Sequence, residues 1–281
     1  PLPPPPRVHL SCPWGDVYPI SISLPSALLV PCLPHKTSDY ASTPTSGAYR
    51  FNADQEHSYK HGYRSARYAH TTKKSGWDCL RHYEIIFSGA VPIFQNVSSS
   101  PAWVMSSLPK LHLRPSSGPP ASYLCEAERL RSYAGSHLTS EASARRFLGT
   151  VGAEAARKVL YLGGNKGVDY VRDTLLLGLK MVVEEVVDFV RPDHLYWDFP
   201  HEEKRDLYGL GYSYVGWLTP AHDSVDRSGL RSRVEAREFD LVVFGSVHRG
   251  MPFLDAVTEW YGREEVAFVD GEDEHGCERG R

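Results

Sequence analysis

The chain has 281 residues, 41 % hydrophobic and 23 % charged, and its 31 basic and 34 acidic side chains give a formal net charge of −3. This composition is typical of a globular protein, and the small negative charge argues against a non-specific nucleic-acid binder, which is normally strongly basic. No run of about 18 apolar residues occurs, so we expect no membrane span. The first residues lack a signal-peptide pattern, so we expect a cytoplasmic protein.

The five cysteines are scattered and odd in number, with no Cys-x-x-Cys pair and no His/Cys cluster at zinc spacing. This pattern favours a reducing compartment and predicts no metal site. Asn96-Val97-Ser98 is formally a glycosylation sequon, but such triplets are common by chance.

The first half of the chain reads as short elements separated by loops. Residues 19–31 alternate apolar and polar side chains, which predicts a short strand. Ser75 is followed three positions later by Asp78, a capping-box spacing that predicts a helix beginning at Gly76. The other predicted elements are a helix at 58–68, a strand at 69–73, the helix itself at 76–88, a strand at 91–94 and helices at 121–134 and 139–149.

The second half alternates apolar runs with amphipathic segments. Such alternation predicts a parallel sheet covered on both faces by helices. We therefore predict an α/β protein of two Rossmann-like lobes, 1–150 and 151–281. The predicted strands of the second lobe are 158–164, 184–190, 239–246 and 265–270, and its predicted helices are 169–182 and 252–262.

The helix predicted at 76–88 carries two charges in an apolar setting. Its apolar side chains point in several directions, so we expect the helix to be buried nearly all round. Arg81 and Glu84 must then be paired or face a ligand, because an isolated buried charge is costly. An internal Arg81–Glu84 pair that only holds the helix in place is one of the two possibilities.

The residues just before this helix raise the other possibility, that the two charges face a ligand. Lys73, Lys74, Ser75 and Gly76 lie where a strand gives way to the helix N-terminus. Cations beside free helix amides form an anion site suited to phosphate. Glu84, one to two turns deeper, is placed to accept hydrogen bonds from ribose hydroxyls.

Residues 65–94 (SARYAHTTKKSGWDCLRHYEIIFSGAVPIF) resemble the donor-site segment of exostosin-like glycosyltransferases. The resemblance is strong over these residues, and it extends loosely back to PISISLP and forward to LPKLHL. One departure is Ala90, where the family more often has Cys. The matching positions, in order and spacing, are Ser65, Tyr68, Gly76, Arg81, Glu84, Gly89 and Pro92.

The resemblance implies a fold, a substrate and roles for individual residues. It implies the GT-B fold, in which two Rossmann-like domains flank a cleft. It also implies that Glu84 binds ribose, while Arg81 and the Lys73-Lys74 turn hold the diphosphate of a nucleotide sugar, expected to be a UDP-sugar.

The order of the two halves is unusual for that fold. In GT-B enzymes the donor-binding domain is C-terminal, whereas the donor-like segment here comes early. The resemblance therefore implies that lobe 1–150 corresponds to the family's C-terminal domain and lobe 151–281 to its N-terminal acceptor domain, as in a circular permutation. A rearranged gene is the alternative explanation.

Candidate acceptor-side residues follow the strands of the second half, where ligands of parallel sheets gather. An inverting transfer needs a general base, and we name Asp270, Glu272 and His248 as candidates. Ordinary solvated loop charges, or an intrahelical Arg172–Asp173 pair, would also explain such residues. The residues expected on the acceptor side are Gly163, Gly164, Arg172 and Arg249.

The sequence thus predicts a glycosyltransferase that moves a sugar from a nucleotide-diphosphate sugar to a hydroxyl of a glycan acceptor. We expect inversion, no metal and no other cofactor, since the GT-B mechanism does not need a metal. Two alternatives stay open. One is a non-catalytic nucleotide-sugar or glycan-binding module. The other is a Rossmann-type methyltransferase, although a full Gly-x-Gly-x-x-Gly is absent.

Overall fold

The computed structural model describes residues 10–12, 15–42, 51–113 and 123–271. It is a mixed α/β protein with two sheets of parallel strands. The chain divides into two compact units between Thr139 and Ser140, which we call unit 1 and unit 2.

Unit 1 contains a short hairpin and a three-stranded parallel sheet. The hairpin pairs β1 with β2, and the sheet has the order β3-β4-β5. Within the sheet Tyr68 pairs with both neighbouring strands, opposite Tyr40 and Val91. The elements are β1 (Leu10–Cys12), β2 (Gly15–Val17), β3 (Ser38–Tyr40), α1 (Glu56–Ser65), β4 (Ala66–Thr71), α2 (Leu80–Phe87), β5 (Val91–Phe94) and α3 (Tyr123–His137).

Helix α2 is buried on nearly every side, as its sequence predicted. Seven of its eight residues are buried, and Arg81 is the exception. The helix ends at Phe87, and Gly89 follows two residues later with a φ of +71°, which suits glycine because a side chain there would be strained. Apolar burial, rather than a polar cap, therefore fixes this helix between β4 and β5.

The prediction of a regular strand within residues 19–31 is wrong. The segment forms only a single bridge, in which Leu24 lies opposite Thr139. Pro25, which has no N–H to donate, then leads into a short 3-10 helix at Ser26–Leu28. The bridging partner is only the residue after α3 and the turn that follows, so no longer ladder forms.

Unit 2 is a four-stranded, wholly parallel sheet with helical connections, consistent with a Rossmann-like α/β fold. Its strand order is β7-β6-β8-β9, so the central strand β6 pairs with strands that come later on both sides. The elements are α4 (Ser140–Thr150), β6 (Lys158–Leu162), α5 (Tyr170–Val182), β7 (Glu185–Phe189), α6 (Pro220–Asp223), α7 (Leu230–Glu235), β8 (Leu241–Phe244), α8 (Leu254–Trp260) and β9 (Val266–Phe268).

Helix α4 belongs to unit 2 because it packs closely against α5. At the crossing, a Cβ added at Gly178 would lie 2.0 Å from the carbonyl oxygen of Ser140. The boundary between the two units therefore falls before α4. The sequence had instead predicted α4 as the last helix of the first lobe, 1–150. Among the described residues, no helix combines the length and apolar composition needed to cross a membrane.

Candidate functional site

The first group of predicted site residues lies in the segment between β4 and α2, residues 72–79, which we call the cationic turn. It leaves the carboxyl end of a parallel strand, the usual position of a ligand site in such sheets. Lys73 is exposed, and its Nζ lies 5.2 Å from the centroid of the Trp77 ring. Lys74 is half-buried, and its backbone amide donates to the carbonyl oxygen of Gly76 at 3.1 Å. This short segment therefore contains two lysines, and a hydrogen bond within its own backbone holds it in a turn.

Positive charge is concentrated where this turn meets α2. Burial lowers the pKa of the Lys74 ammonium, and the positive charge of Arg81 lowers it further. The second effect means that the two cations are close enough to repel each other. A bound anion would offset this repulsion, because each cation would gain an opposite charge.

Ser75 does not cap the helix, contrary to the sequence prediction. The helix begins at Leu80, its N-cap residue is Cys79, and no side chain caps it. Asp78 instead accepts a hydrogen bond from the Tyr83 hydroxyl at 2.8 Å and another from the Ile22 amide at 3.0 Å. The Asp78 carboxylate therefore joins the 19–24 segment to α2. Ser75 is exposed in the cationic turn.

Glu84 is a buried carboxylate with a tyrosine partner from another helix. It is 5 % exposed, and its Oε2 accepts a hydrogen bond from the Tyr59 hydroxyl of α1 at 2.7 Å. Burial raises the pKa of Tyr59, and the negative charge of Glu84 raises it further. A ribose hydroxyl that reaches Glu84 would therefore share the carboxylate with Tyr59.

His82 is a site neighbour that sequence reasoning missed. It is fully buried, with Nε2 2.9 Å from the Trp77 carbonyl oxygen and Nδ1 2.8 Å from the Thr71 hydroxyl. Because a carbonyl can only accept, Nε2 carries the proton and Nδ1 accepts from Thr71. Burial lowers the pKa of His82 to about 4, despite the opposing effect of the Trp77 carbonyl. A neutral imidazole thus ties the end of β4 and the cationic turn to α2.

The second group of predicted residues lies in unit 2, beyond β8 and β9. His248 follows β8 and Asp270 follows β9, and adjacent parallel strands bring them together. The distance from His248 Nε2 to Asp270 Oδ1 is 2.9 Å, and the two side chains are 31 % and 41 % exposed. A histidine oriented by a carboxylate and open to solvent is an arrangement suited to general base catalysis. Glu272, the third candidate base, lies outside the described residues.

The predicted glycines Gly163 and Gly164 lie at the carboxyl end of β6, where they pack against backbone. The carbonyl of Gly163 accepts from the Val190 amide at 3.1 Å, in the turn after β7. A Cβ at Gly164 would lie 1.9 Å from the carbonyl oxygen of Arg249. The observed role of Gly164 is therefore to let the turn that carries His248 approach the sheet edge.

The two predicted arginines occupy different environments. Arg249 is partly exposed, with Nε 3.8 Å from Asp169 Oδ2. Arg172 is only 2 % exposed, and it donates to the Asn165 carbonyl oxygen at 2.9 Å and to Asp173 Oδ1 at 2.8 Å. Arg172 therefore holds the loop after β6 from inside, and the structure does not place it on a surface.

A second histidine–carboxylate pair was also missed by sequence reasoning. His194 Nε2 lies 2.7 Å from Asp173 Oδ2, and the two residues are 2 % and 0 % exposed. The signal available in the sequence was the Arg172-Asp173 dipeptide within the apolar helix α5. Its partner is 21 positions away in the chain.

Comparison with known proteins assigns no family to this chain. No protein-family model, no curated protein and no solved structure matches this chain.

Proposed function

We propose that this protein is a glycosyltransferase that uses a nucleotide-diphosphate sugar, expected to be a UDP-sugar, as its donor. The observation that carries the proposal is the junction of the cationic turn with α2, where Lys74 and Arg81 are close enough for their charges to interact. A diphosphate is the ligand that this concentration of positive charge favours.

The position of the turn supports the same ligand. It follows the carboxyl end of β4 and precedes the N-terminus of α2, so the positive end of a helix dipole adds to the lysine and arginine charges. In a sugar transfer, negative charge develops on the departing diphosphate. Fixed cations stabilise that charge, a role that a divalent metal plays in other transferases.

The His248–Asp270 pair favours an enzyme over a binding module. In the proposed step, the acceptor hydroxyl gives its proton to His248 while its oxygen forms a bond to the anomeric carbon. The bond from that carbon to the diphosphate oxygen breaks, and the diphosphate leaves with the electron pair. Asp270 holds the imidazole and stabilises the imidazolium that forms.

The proposal includes what the resemblance implies about architecture. Residues 1–150 would then supply the donor lobe and residues 151–281 the acceptor lobe of a GT-B enzyme, in circularly permuted order. Superposition of an experimental structure on a GT-B enzyme tests this part. An antiparallel sandwich, or one continuous sheet, would contradict it.

Calorimetric titration with UDP, a panel of UDP-sugars and uridine tests the donor site. Arg81→Ala and Lys74→Ala should weaken UDP binding about 10- to 150-fold, the range expected for a charge-assisted hydrogen bond of roughly 1.5–3 kcal/mol. The free nucleoside should lose much less, because it carries no diphosphate.

Arg64→Ala is the matched control for this experiment. Arg64 is exposed and precedes β4, whereas the cationic turn follows it, so the two positions lie at opposite ends of that strand. The control removes the same charge and should leave UDP affinity unchanged. If folded Arg81→Ala and Lys74→Ala proteins bind UDP as well as the wild type does, the donor site is assigned to the wrong residues.

A further inference from the structure

Unit 2 contains a cavity of about 330 Å³ that the sequence did not indicate. Its walls come from the loop after β6, from the turn after β7 and from the segment that follows that turn. The first two leave the carboxyl ends of adjacent parallel strands, where ligands of open sheets bind. The lining residues include Lys166, Asp193, His194, Phe199, Glu203 and Asp206.

His194 gives this cavity a hydrogen-bond acceptor with a fixed orientation. Its Nε2 lies 2.7 Å from Asp173 Oδ2, and a carboxylate in that position accepts the Nε2 proton. When the ring is neutral, Nδ1 is therefore the nitrogen without a proton, and among the described residues it has no hydrogen-bond partner. The ring can therefore accept one hydrogen bond from a ligand in the cavity.

Asp173 is itself held in place from behind. Its Oδ1 accepts from Arg172 Nε at 2.8 Å, and its Oδ2 accepts from the Asp169 amide at 3.0 Å. Burial alone would raise the pKa of Asp173, but the charge of Arg172 and the bond from His194 hold it below its usual value. A buried Arg–Asp–His chain is a costly way to gain stability alone, and such chains often orient a functional histidine.

The rest of the wall favours a ligand with hydroxyl groups and no negative charge. Glu203 and Asp206 are exposed carboxylates, which accept hydrogen bonds and repel anions. Lys166 is bonded to Asp193 at 2.6 Å, which offsets its charge only in part, because Asp193 is also paired with Arg191 at 2.8 Å. Phe199 adds an aromatic surface next to His194, with ring centroids 6.5 Å apart.

A metal ion fits this wall less well. Within the part of the chain that the structure describes, no three His, Cys, Asp or Glu side chains are arranged to hold one. The cavity volume lies at the small end of the range for small-molecule sites, which suits a single ring.

We propose that this cavity binds a neutral sugar ring, with one ring hydroxyl donating to His194 Nδ1 and others to Glu203 and Asp206. The inference rests on the proposed function only in identifying that ring as part of the glycan acceptor. Arg172 and Asp173 act through His194, so they are positioning residues.

The experiment titrates the full-length protein with glucose, galactose, mannose, xylose and glucose 6-phosphate, with no nucleotide present. Binding is followed in proton–nitrogen NMR spectra of protein labelled at the histidine nitrogens. At least one neutral sugar should bind and shift the resonance of the unprotonated His194 Nδ1. Glucose 6-phosphate should bind more weakly than glucose, because the carboxylates repel it.

Glu203→Gln and Glu202→Gln form a matched pair, since both residues are exposed neighbours and only Glu203 lines the cavity. Glu203→Gln and His194→Gln should each weaken sugar binding by about 5- to 10-fold, and Glu202→Gln should not. If His194→Gln fails to fold, the glutamate pair still decides.

The inference is overturned if no neutral sugar binds at tens of millimolar, if all variants bind equally, or if the phosphorylated sugar binds best. Its failure is distinguishable from failure of the donor site. Sugar binding without UDP binding would contradict the proposed donor chemistry alone, and UDP binding without sugar binding would contradict the cavity assignment alone.

Discussion

Glu84 combines two properties that usually exclude each other, since it is buried and it is the residue expected to bind ribose. Its bond from Tyr59 explains how a buried carboxylate is tolerated in the absence of ligand. If Glu84 binds ribose, Glu84→Gln should weaken UDP-sugar binding by about tenfold or more. Tyr59→Phe should leave binding intact or improve it, because it removes a donor that competes for the carboxylate.

Thermal unfolding and calorimetry on the two variants separate the functional role from the structural one. Tyr59→Phe should lower the free energy of unfolding by roughly 1–3 kcal/mol, because it breaks a partly buried hydrogen bond, and Glu84→Gln should lower it by less, because the amide oxygen can still accept from Tyr59. A loss of stability in both variants with no change in UDP-sugar affinity would show that the Tyr59–Glu84 pair only joins α1 to α2.

His82 should make the stability of the protein depend on pH. Its folded-state pKa of about 4 is below the usual 6.5, so the unfolded chain takes up the proton first as pH falls. The free energy of unfolding should therefore fall between pH 6.5 and pH 4, by up to about 3 kcal/mol from this group, and no further below pH 4.

Denaturant unfolding at pH 7 and pH 4.5 measures this effect. His82→Gln should lose about that much of the pH dependence, while the exposed control His61→Gln should keep it. An unchanged pH dependence in His82→Gln would mean that His82 is not held neutral in the folded protein.

At the residue scale, the sequence predicted which charges are unusual but not their partners. Arg81 and Glu84 stood out because the surrounding residues are apolar on every face of the helix. Tyr59 lies 25 positions before Glu84, and no local pattern connects them. The same limit applies to Asp173 and His194, which only the parallel packing of β6 and β7 brings together.

At the scale of elements, apolar runs located five strands well but missed the short strands β1, β2 and β3, and capping patterns located helix ends poorly. The strand at Val91–Phe94 and the four strands of unit 2 lie where apolar runs predicted them. The start of α2 was predicted at Gly76 and occurs at Leu80, because Asp78 bonds to Ile22 and Tyr83 instead of completing a cap. The spacing of nearby residues does not reveal that Asp78 bonds to Ile22, which lies far away in the chain.

The packing of α4 on α5 depends on Gly178. Replacing a helical glycine with alanine normally stabilises a helix by about 1 kcal/mol. At Gly178 the new methyl group would lie 2.0 Å from the Ser140 carbonyl oxygen and 2.9 Å from the Ala144 Cβ. The backbone of Ser140 cannot move aside as a flexible side chain could. Gly178→Ala should therefore destabilise unit 2 by about 1–3 kcal/mol.

Gly135→Ala in α3 is the matched control for Gly178→Ala. A Cβ at Gly135 meets only the Leu29 Cδ2, at 3.5 Å, which is an ordinary contact. Unfolding in urea measures both variants, and Gly135→Ala should be neutral or slightly more stable than the wild type. If Gly178→Ala also gains stability, α4 and α5 do not pack as closely as described.

At the scale of the whole molecule, the alternation of strands and helices predicted a parallel sheet in the second half and two α/β lobes, and the described residues form two sheets of parallel strands. The division between the units could not be predicted, because α4 has no local feature that assigns it to one sheet or the other. It joins unit 2 through the close approach at Gly178, a tertiary contact.

The proposed activity of the whole protein requires both a donor site and a base, and variants can separate them. His248→Asn should lower kcat by at least about 10²-fold with little change in the affinity for the donor, because the base acts on the acceptor hydroxyl. Asp270→Asn should have a smaller effect in the same direction, since it orients His248 at 2.9 Å. The exposed His201→Asn is the control and should keep the wild-type rate.

The same assay tests the role given to the cations. Lys73, Lys74 and Arg81 are proposed to stabilise the leaving diphosphate, so sugar transfer should continue in excess EDTA. Loss of activity in EDTA that manganese restores would contradict this mechanism, because a metal would then supply the charge assigned to the cationic turn. Near-normal rates in both His248→Asn and Asp270→Asn would place the base elsewhere and leave the donor site unaffected.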